Sequence, residues 1–435
     1  MPVGVIESMD HEARGITRLD GKTIFVEGAL TGEVVEYESF RRKPNYEIAV
    51  AERIVRPSSQ RVAPRCPHFG VCGGCSMQHV ELAAQVAVKQ RVLEDNLWHL
   101  ARLRPGRLFP AIYGEPWGYR HRARLSVRHV PRKGGVLVGF HEKRSSYVAD
   151  MTTCPILPAR VSDLLRPLRE LVEGLSIRDR LPQIEVAQGA HVLALVFRVL
   201  ERPSAGDLDR LRAFAKARGL TAFVQPKGPD SAVRLWPAPG EEAAELSYRL
   251  DEHGIEMFFA PTDFTQVNHR INERLVGRAM ALLQPVAGDR IADLFCGLGN
   301  FTLPIAARGA TVLGIEGSPG LIRRAGENAR RNGLAERVRY EVANLFEIDA
   351  AGLARWGSFD KWLVDPPREG AVELVKALPA SDGPSRIVYV SCNPSTLARD
   401  AAVLVHQKGY ALRGAGVVNM FPQTSHVESI ALFER

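Results

Sequence analysis

The sequence predicts an α/β protein in three parts: an N-terminal OB-like β-barrel, a central α+β domain and a C-terminal Rossmann-like domain. Three changes of pattern support this prediction. Short alternating strands come first, a mixture of strand and helix patterns follows, and regular βα alternation begins near residue 270. We therefore expect domains at residues 1–57, 58–262 and 263–435.

The first predicted domain consists of four short strands separated by turn residues. Asp20-Gly21 and Thr31-Gly32 supply turn chemistry, and a small antiparallel barrel is the natural closure for such strands. The predicted strands are residues 4–7, 23–27, 33–37 and 47–51.

The middle of the chain predicts an amphipathic helix over about residues 80–100, followed by an α+β arrangement. The later strands are predicted at residues 124–128, 135–139 and 191–197, and helices near 160–174 and 206–218.

The excess positive charge lies in one segment. The net charge is +8, and residues 57–160 contain 16 Lys and Arg against 6 Asp and Glu. Arg120, Arg122 and Arg124 stand there among aromatic residues, a composition that suits RNA phosphates and unstacked bases. An ordinary solvated surface is the alternative interpretation.

Neither a membrane protein nor a disulfide-rich secreted protein is indicated. No apolar run approaches the roughly 18 residues that a membrane helix needs, and the polar N-terminus does not resemble a signal peptide. We expect a cytoplasmic monomer with no membrane partner.

The C-terminal domain carries a glycine loop between a predicted strand, residues 290–295, and a helix. Gly297 and Gly299 let this loop turn sharply and approach a ligand closely. Thr302 stands where a dinucleotide fingerprint has its third glycine. The loop alone therefore leaves a nucleotide-binding alternative open.

Polar residues end the strands that follow the glycine loop. Glu316 is placed to accept both ribose hydroxyls of an adenosine, although an acid at a helix start is the structural alternative. Asn344 and Asp365 end two further strands. Polar groups at successive strand ends, with no separate pyrophosphate site, fit S-adenosylmethionine methyltransferases better than dehydrogenases.

Cys392 lies between a predicted strand and a helix, for which Ser395 is the expected cap. A thiol there is a candidate nucleophile, and a small buried side chain is the alternative. Asp365-Pro-Pro-Arg368 resembles the motif of enzymes that methylate exocyclic amines, except that Arg368 replaces the stacking aromatic residue. An amine needs no covalent activation and uracil C5 does, so Asp365 beside Cys392 favours pyrimidine C5 chemistry.

Four of the six cysteines lie in the basic segment and suggest a metal centre. Cys66, Cys72 and Cys75 are close together, and Cys154 follows much later. Four thiolates suit tetrahedral zinc or a [4Fe-4S] cluster, and three close cysteines with a distant fourth before proline favour the cluster. Radical S-adenosylmethionine enzymes are disfavoured, because their three cysteines usually follow another spacing.

Six motifs occur in one order along the chain. They are Cys66-x5-Cys72-x2-Cys75, Asp263-Phe-Thr-Gln-Val-Asn268, Asp293-Leu-Phe-Cys-Gly-Leu-Gly-Asn-Phe301, Asp365-Pro-Pro-Arg368, Ser391-Cys-Asn-Pro394 and Phe421-Pro-Gln-Thr-Ser-His-Val-Glu428. Together they resemble the RNA uracil-C5 methyltransferase family over nearly the whole chain. The branch that modifies 23S ribosomal RNA is the most similar, because residues 1–56 resemble its RNA-binding TRAM domain.

The resemblance implies Cys392 as the nucleophile, Glu428 as the base that removes the C5 proton, and a [4Fe-4S] cluster on the four cysteines. It also implies that six residues surround S-adenosylmethionine. They are Gln266, Phe295, Asn300, Glu316, Asn344 and Asp365. Two other functions stay open: a non-catalytic RNA-binding protein of ribosome assembly, and a methyltransferase acting on tRNA or another RNA.

Overall fold

The N-terminal segment forms a closed six-stranded barrel in the computed structural model, which describes residues 1–435. Its strands are β1 (Val3–Val5), β2 (Ser8–Met9), β3 (Arg14–Leu19), β4 (Lys22–Glu27), β5 (Val34–Arg42) and β6 (Tyr46–Arg56). Their order is β1-β5-β6-β4-β3-β2, and β4 and β6 form the one parallel pair. Because β1 and β2 are consecutive in the chain, the two ends of this order meet and the sheet closes.

Strand β3 has no counterpart among the predicted strands. Its buried positions are Gly15 and Thr17, whereas Ile16 between them is partly exposed. The inward face of this strand is therefore not marked by apolar residues, and the alternation that predicts a strand is absent.

Glu33 ties the barrel to the residues that follow it. Its buried carboxylate accepts hydrogen bonds from the backbone N–H of Leu30 at 2.8 Å and of Ser58 at 3.1 Å. The Arg61 guanidinium donates to both carboxylate oxygens, at 2.5 and 2.7 Å. Burial alone would raise the pKa of Glu33, but these hydrogen bonds outweigh it and lower the pKa.

The central part of the chain contains a long helix and a six-stranded mixed sheet. The elements are α1 (Leu82–Ala101), β7 (Arg122–Val130), β8 (Gly135–Gly139), α2 (Ala159–Ser162), α3 (Leu165–Glu173), β9 (Gln183–Gln188), β10 (Leu193–Arg198), α4 (Ala205–Arg218), β11 (Thr221–Gln225) and β12 (Val233–Trp236). The strand order is β12-β11-β10-β9-β7-β8, in which β10 and β11 form the one parallel pair. Helices α3 and α4 pack against this sheet.

The C-terminal part contains a two-stranded hairpin and a seven-stranded sheet. The elements are β13 (Ser247–Leu250), β14 (Ile255–Phe258), α5 (His269–Leu283), β15 (Arg290–Leu294), α6 (Thr302–Ala307), β16 (Thr311–Glu316), α7 (Pro319–Arg331), β17 (Val338–Val342), α8 (Ala350–Ala354), β18 (Lys361–Val364), α9 (Val372–Ala377), β19 (Arg386–Ser391), α10 (Pro394–His406), β20 (Ala411–Val418) and β21 (Glu428–Glu434). Short 3₁₀ turns lie at Pro131–Lys133, Arg178–Arg180, Pro229–Ser231, Asp251–His253 and Ala335–Arg337.

The large sheet has the strand order β17-β16-β15-β18-β19-β21-β20. The first five strands are parallel, and β21 is inserted antiparallel between β19 and β20. The order reverses at β15, so the carboxyl ends of β15, β16 and β18 open into the crevice where such sheets bind ligands. The predicted α/β fold class is confirmed.

Two segments from earlier in the chain pack on the C-terminal sheet. Helix α1 packs against α10 and β20, and the chain after it runs beside β20 through bridges at Leu108 and Ile112. The hairpin β13–β14 is held by Asn328 and Asn332 of the α7 end, whose side chains hydrogen-bond its backbone. The division at residues 57 and 262 stays a prediction. No helix has both the length and the apolar character needed to cross a membrane.

We predict that Arg61→Leu destabilises the barrel by roughly 3–5 kcal/mol, because it leaves the Glu33 carboxylate buried without its charged partner. The pKa of Glu33 is lowered in the fold, so this stabilisation is present above the usual pKa of a glutamate and is lost as the pH falls through the lowered value. Chemical denaturation monitored by circular dichroism measures the change.

The double variant Glu33→Gln/Arg61→Leu is the control, since it removes both charges. It should be more stable than Arg61→Leu alone. Equal stability of Arg61→Leu and the parent protein would contradict the prediction.

Candidate active site at the carboxyl end of the large sheet

A cavity of about 510 Å³ lies at the carboxyl ends of the parallel strands. The structure brings eight of the predicted site residues together around it, from both sides of the sheet reversal. They are Gln266, Phe295, Asn300, Glu316, Asn344, Asp365, Cys392 and Glu428. Their assigned roles stay predictions.

The glycine loop after β15 shapes one wall of this cavity. Phe295 has a φ of 66°, Gly297 of 54° and Gly299 of 91°, so the backbone turns through three left-handed residues. A Cβ at Gly297 would meet nothing within 4 Å, whereas one at Gly299 would lie 3.0 Å from the Tyr340 hydroxyl. The loop can therefore present its backbone closely to a ligand at Gly297.

Glu316 lies at the carboxyl end of β16 and is oriented by two backbone groups. One carboxylate oxygen accepts from the N–H of Gly297 at 3.2 Å and the other from Ser318 at 3.1 Å. Ser318 also caps α7 through Leu321. The position of Glu316 therefore fits both predicted roles. It borders the start of α7, as a structural acid at a helix start would, and it lines the cavity, as a ribose-binding acid would.

Asn300 is engaged by protein groups on all its polar side-chain atoms. Its Oδ1 accepts from the Tyr248 hydroxyl and from Asn272 Nδ2, both at 2.9 Å, and its Nδ2 donates to Asn272 Oδ1 at 2.9 Å. Tyr248 belongs to hairpin β13–β14. Asn300 therefore fixes this hairpin beside the cavity, a position that the sequence pattern did not reveal.

Asp365 lines the cavity, and a second carboxyl group, that of Asp293, is fully buried. Burial, together with the nearby charges of Glu428 and Asp293, raises the pKa of Asp365 to about 8. Burial raises the pKa of Asp293 to about 7, although Thr302 donates a hydrogen bond to it, and its Oδ1 has no partner. A bound cation would favour the ionised forms of both groups.

Cys392 and Glu428 face each other through the pairing of β19 with β21. Ser391 pairs with Ser429 in this antiparallel ladder, so the next position along brings Cys392 opposite Glu428. Burial, followed by the charges of Glu428 and Asp365, raises the pKa of Cys392 to about 11. A helix N-terminus favours a thiolate, so the start of α10 after Cys392 does not outweigh burial and these charges.

The cap of the helix after Cys392 differs from the prediction. Asn393 is the N-cap of α10, and its side chain accepts from the N–H of Ser395 at 3.1 Å. Ser395 lies inside the helix, and its hydroxyl donates to Asn393 Oδ1 at 2.8 Å. Pro394 at the first helical position explains the shift, since its fixed φ starts the helix there.

The loop before β21 contributes two aromatic residues that sequence reasoning did not single out. Phe421 and His426 line the cavity, and their rings pack edge to face with centroids 4.6 Å apart. His426 Nε2 lies 3.6 Å from Glu428 Oε1. The Phe421–Glu428 motif could have indicated His426, because it lies two positions before Glu428 and residues two apart in an extended chain point to the same side.

The basic segment reaches this loop through Arg120. Its guanidinium lies over the rings of Phe140 and Phe421, at 5.7 and 5.9 Å from their centroids. The Arg124 side chain is 70% exposed and lies 3.3 Å from Glu185. Arg122 is half-buried, its Nη1 has no hydrogen-bond partner, and burial lowers its pKa.

The four clustered cysteines are buried and none forms a disulfide. Cys72, Cys75 and Cys154 share one core cluster, and burial raises the pKa of Cys75 to about 11 and of Cys154 to about 12. The donor set suits a thiolate-bound metal centre in its chemistry. No group of three or more His, Cys, Asp or Glu side chains is arranged to hold a metal ion in this structure.

Comparison with known proteins decides the family. Residues 118–435 match the family described as tRNA (Uracil-5-)-methyltransferase. The chain belongs to this family. The family predicted from the six motifs is thereby confirmed.

Relatives within this family match along their whole length. The 23S rRNA (uracil(1939)-C(5))-methyltransferase RlmD of Azoarcus sp. (strain BH72) is 62% identical over 435 residues, which cover 100% of both chains. The protein of the same name from Dechloromonas aromatica (strain RCB) is 60% identical over 434 residues, again covering 100% of both.

A solved structure shares the fold. The Pyrococcus abyssi tRNA (uracil-54, C5)-methyltransferase in complex with S-adenosyl-L-homocysteine superimposes with a TM-score of 0.75 and 25% identity. The match covers 99% of this chain and 100% of that one. The family fold therefore extends over the barrel, the central sheet and the seven-stranded sheet.

We predict that iodoacetamide modifies Cys392 slowly at neutral pH in protein without added ligand. Only the thiolate reacts, so the rate should rise about tenfold per pH unit below the raised pKa of about 11. Glu428→Gln removes a negative charge that raises this pKa and should accelerate modification at pH 8. Mass spectrometry of the Cys392 peptide measures the rate.

Glu434→Gln, at the other end of β21, is the matched control and should leave the rate unchanged. Equal rates in the two glutamine variants would show that Glu428 does not act on the thiol.

Proposed function

We propose that this chain transfers a methyl group from S-adenosylmethionine to C5 of a uridine in 23S rRNA, forming 5-methyluridine. The observation that carries the proposal is that Cys392 and Glu428, which directly adjoin the Ser391–Ser429 pair, line one cavity together with Glu316 and the glycine loop. The full-length similarity to 23S rRNA (uracil(1939)-C(5))-methyltransferases supports the choice of RNA.

We propose that the methyl donor binds along the glycine loop. Glu316 would accept the ribose hydroxyls, since two backbone N–H groups already fix its carboxylate. Gln266, Phe295 and Asn344 line the same cavity, and Asp365 supplies a carboxyl at its base. S-adenosylmethionine supplies a sulfonium whose positive charge favours ionised carboxylates and whose methyl group is electrophilic.

The proposed reaction uses the two facing residues in sequence. The Cys392 thiolate adds to C6 of the uracil ring, which makes C5 an enolate carbon that can take the methyl group. C5 then still bears its proton, acidified by the neighbouring carbonyl. Glu428 accepts this proton, the C6–S bond breaks, and the thiolate leaves with the electron pair of that bond.

We propose that the barrel and the basic segment bind the RNA. A groove between them contains Lys143 and Arg144 together with Ser76 and Ser425, so it connects the barrel surface to the loop before Glu428. Arg120 lies over the Phe421 ring on the same side. We propose that the enzyme is cytoplasmic, in keeping with an rRNA substrate, and that it acts as a monomer.

We further propose that Cys66, Cys72, Cys75 and Cys154 hold a [4Fe-4S] cluster. The four thiols are buried and none forms a disulfide. The pKa values of Cys72, Cys75 and Cys154 are raised first by burial and further by neighbouring cysteines, which indicates that the thiols lie near one another. A cluster would cross-link the loop of residues 66–75 to the segment at Cys154, which are far apart in the chain. Its role in this proposal is structural.

We predict that Cys392→Ala abolishes methyl transfer while cofactor and RNA binding persist, because the change removes the nucleophile and little volume. Glu428→Gln should form the adduct and transfer the methyl, then stall before the proton leaves. Denaturing gels should show a protein–RNA complex in Glu428→Gln that is absent from the double variant with Cys392→Ala.

Mass spectrometric mapping of 5-methyluridine in 23S rRNA and in tRNA, with and without the gene, tests the substrate. Loss of one modified uridine in 23S rRNA is expected. Loss confined to tRNA would favour the tRNA alternative, and no lost methylation would favour a non-catalytic RNA-binding protein. Near-parental turnover by Glu428→Gln without adduct would assign the base to another group.

The cluster proposal predicts that protein purified without oxygen is brown and contains about four irons and four sulfides per chain. Iron and sulfide analysis and visible absorption measure this directly. Colourless protein with stoichiometric zinc would decide for a zinc site. Cys296→Ser is the control, since this buried cysteine lies in the glycine loop and its loss should leave the iron content unchanged.

A further inference from the structure

Lys89 is a lysine buried in the middle of helix α1, 1% exposed. Its Nζ donates to Asn419 Oδ1 at 2.7 Å and to the carbonyl of Phe421 at 2.9 Å. No carboxylate lies within salt-bridge distance of it in the chain. A buried ammonium held by neutral oxygens is costly, so its presence in a core helix calls for a reason beyond packing.

Gln85, one turn earlier on α1, binds the same loop. Its Nε2 donates to Gln423 Oε1 at 3.1 Å, and its Oε1 accepts from the backbone N–H of Gln423 at 2.9 Å. Gln423 has a φ of 70° and is 4% exposed. A left-handed, buried non-glycine residue persists only where its surroundings hold it, and Gln85 provides that hold.

Ser76 and Met77 of the cysteine-bearing loop and Tyr119 of the central domain bind the same segment. With Gln85 and Lys89 they form a clamp. The N–H groups of Ser76 and Met77 both donate to the carbonyl of Gln423 at 3.0 Å, and Ser76 Oγ accepts from the N–H of Ser425 at 2.8 Å. The Tyr119 hydroxyl donates to the carbonyl of Pro422 at 2.8 Å. Residues 419–425 are thus fixed at successive positions by groups from outside the large sheet.

This clamped segment leads directly into Glu428. It contains Phe421, which lines the cavity, and three residues after its end at Ser425 the chain enters β21 at Glu428. Cys392, by contrast, is carried by β19 and the start of α10. Helix α1 packs against α10, but none of the clamp's hydrogen bonds is made to β19 or α10. Loosening the clamp would therefore displace the base and leave the nucleophile in place.

We propose that Lys89 and Gln85 are positioning residues for Glu428: they hold the Asn419–Ser425 loop so that the carboxylate meets the C5 proton of the adduct. This inference rests on the proposed function. The negative charge of Glu428 acts on Lys89, since burial lowers the pKa of this lysine to about 7 and Glu428 opposes that shift. The ammonium thus sits in the electrostatic field of the base that it positions.

Displacement of Glu428 should slow one step of the reaction, the elimination. Addition of Cys392 and methyl transfer precede proton removal, so a misplaced Glu428 leaves both intact and delays elimination. A displacement of about 1 Å of a catalytic group slows its step by roughly 100-fold. The methylated adduct should therefore accumulate.

The test compares Lys89→Met with Arg91→Met, a change of a cation to methionine on the same helix at a side chain that is 73% exposed. Single-turnover reactions with S-adenosylmethionine and uridine-containing rRNA fragments are quenched in denaturant, and adduct and released product are quantified on gels. Binding of S-adenosylhomocysteine and the Tm are measured alongside.

Lys89→Met should bind S-adenosylhomocysteine as the parent does and form adduct at the parental rate, and it should release product roughly 10- to 100-fold more slowly. Arg91→Met should match the parent in all four measurements. Product release at the parental rate in Lys89→Met would overturn the inference. Equal loss of adduct formation, ligand binding and Tm would also overturn it, since that is the result of a purely structural lysine.

Gln85→Met keeps the proposal testable if Lys89→Met does not fold, and the same accumulation of adduct is expected from it. Gln90→Met, also on α1, is its matched control. A parent protein that methylates no uridine would refute the proposed function, and this inference with it. A parent that methylates while neither variant accumulates adduct would refute the inference alone.

Discussion

The antiparallel pairing of β21 with β19 is the constraint on which the site depends. Parallel strands alone would bring only carboxyl ends to the crevice, and every candidate residue would have to follow a strand. Because β21 runs the other way, its amino end meets the carboxyl end of β19, and Glu428 stands opposite Cys392. A slip of one residue in this ladder would turn Glu428 to the other face of the sheet.

The same pairing concentrates acids where the fold excludes water. Asp365 and Glu428 line the same cavity as Cys392, and burial, followed by the neighbouring negative charges, raises the pKa of both Asp365 and Cys392. Such an arrangement disfavours the ionised forms that the proposed chemistry uses. A cation placed among the acids would favour these ionised forms. The electrostatics of the cavity therefore match a positively charged methyl donor better than a neutral one.

The sequence predicted the large sheet well because its strands are apolar runs bounded by turn residues. A strand ending at Glu316 was predicted, and β16 ends at that residue. The long helix was predicted over 80–100 and forms at Leu82–Ala101. The periodicity did not reveal which element packs against that helix, because an amphipathic pattern predicts that one face is buried but does not identify the element that covers it. Lys89 was missed for the same reason, since a lysine within a helix normally indicates solvent.

Helix α1 and the segment after it depend on strands made some three hundred residues later. Leu93 and Leu97 of α1 share a core cluster with Tyr389 and Phe433, and Phe109 packs against Gly414 on β20 so closely that a side chain there would clash. During synthesis these apolar faces have no partner until the last part of the chain has left the ribosome. Contacts of such long sequence separation form late and expose apolar surface while they wait. The C-terminal strands therefore complete the packing of α1 as well as the site. A nascent chain that stopped before them would have an amphipathic helix with no partner.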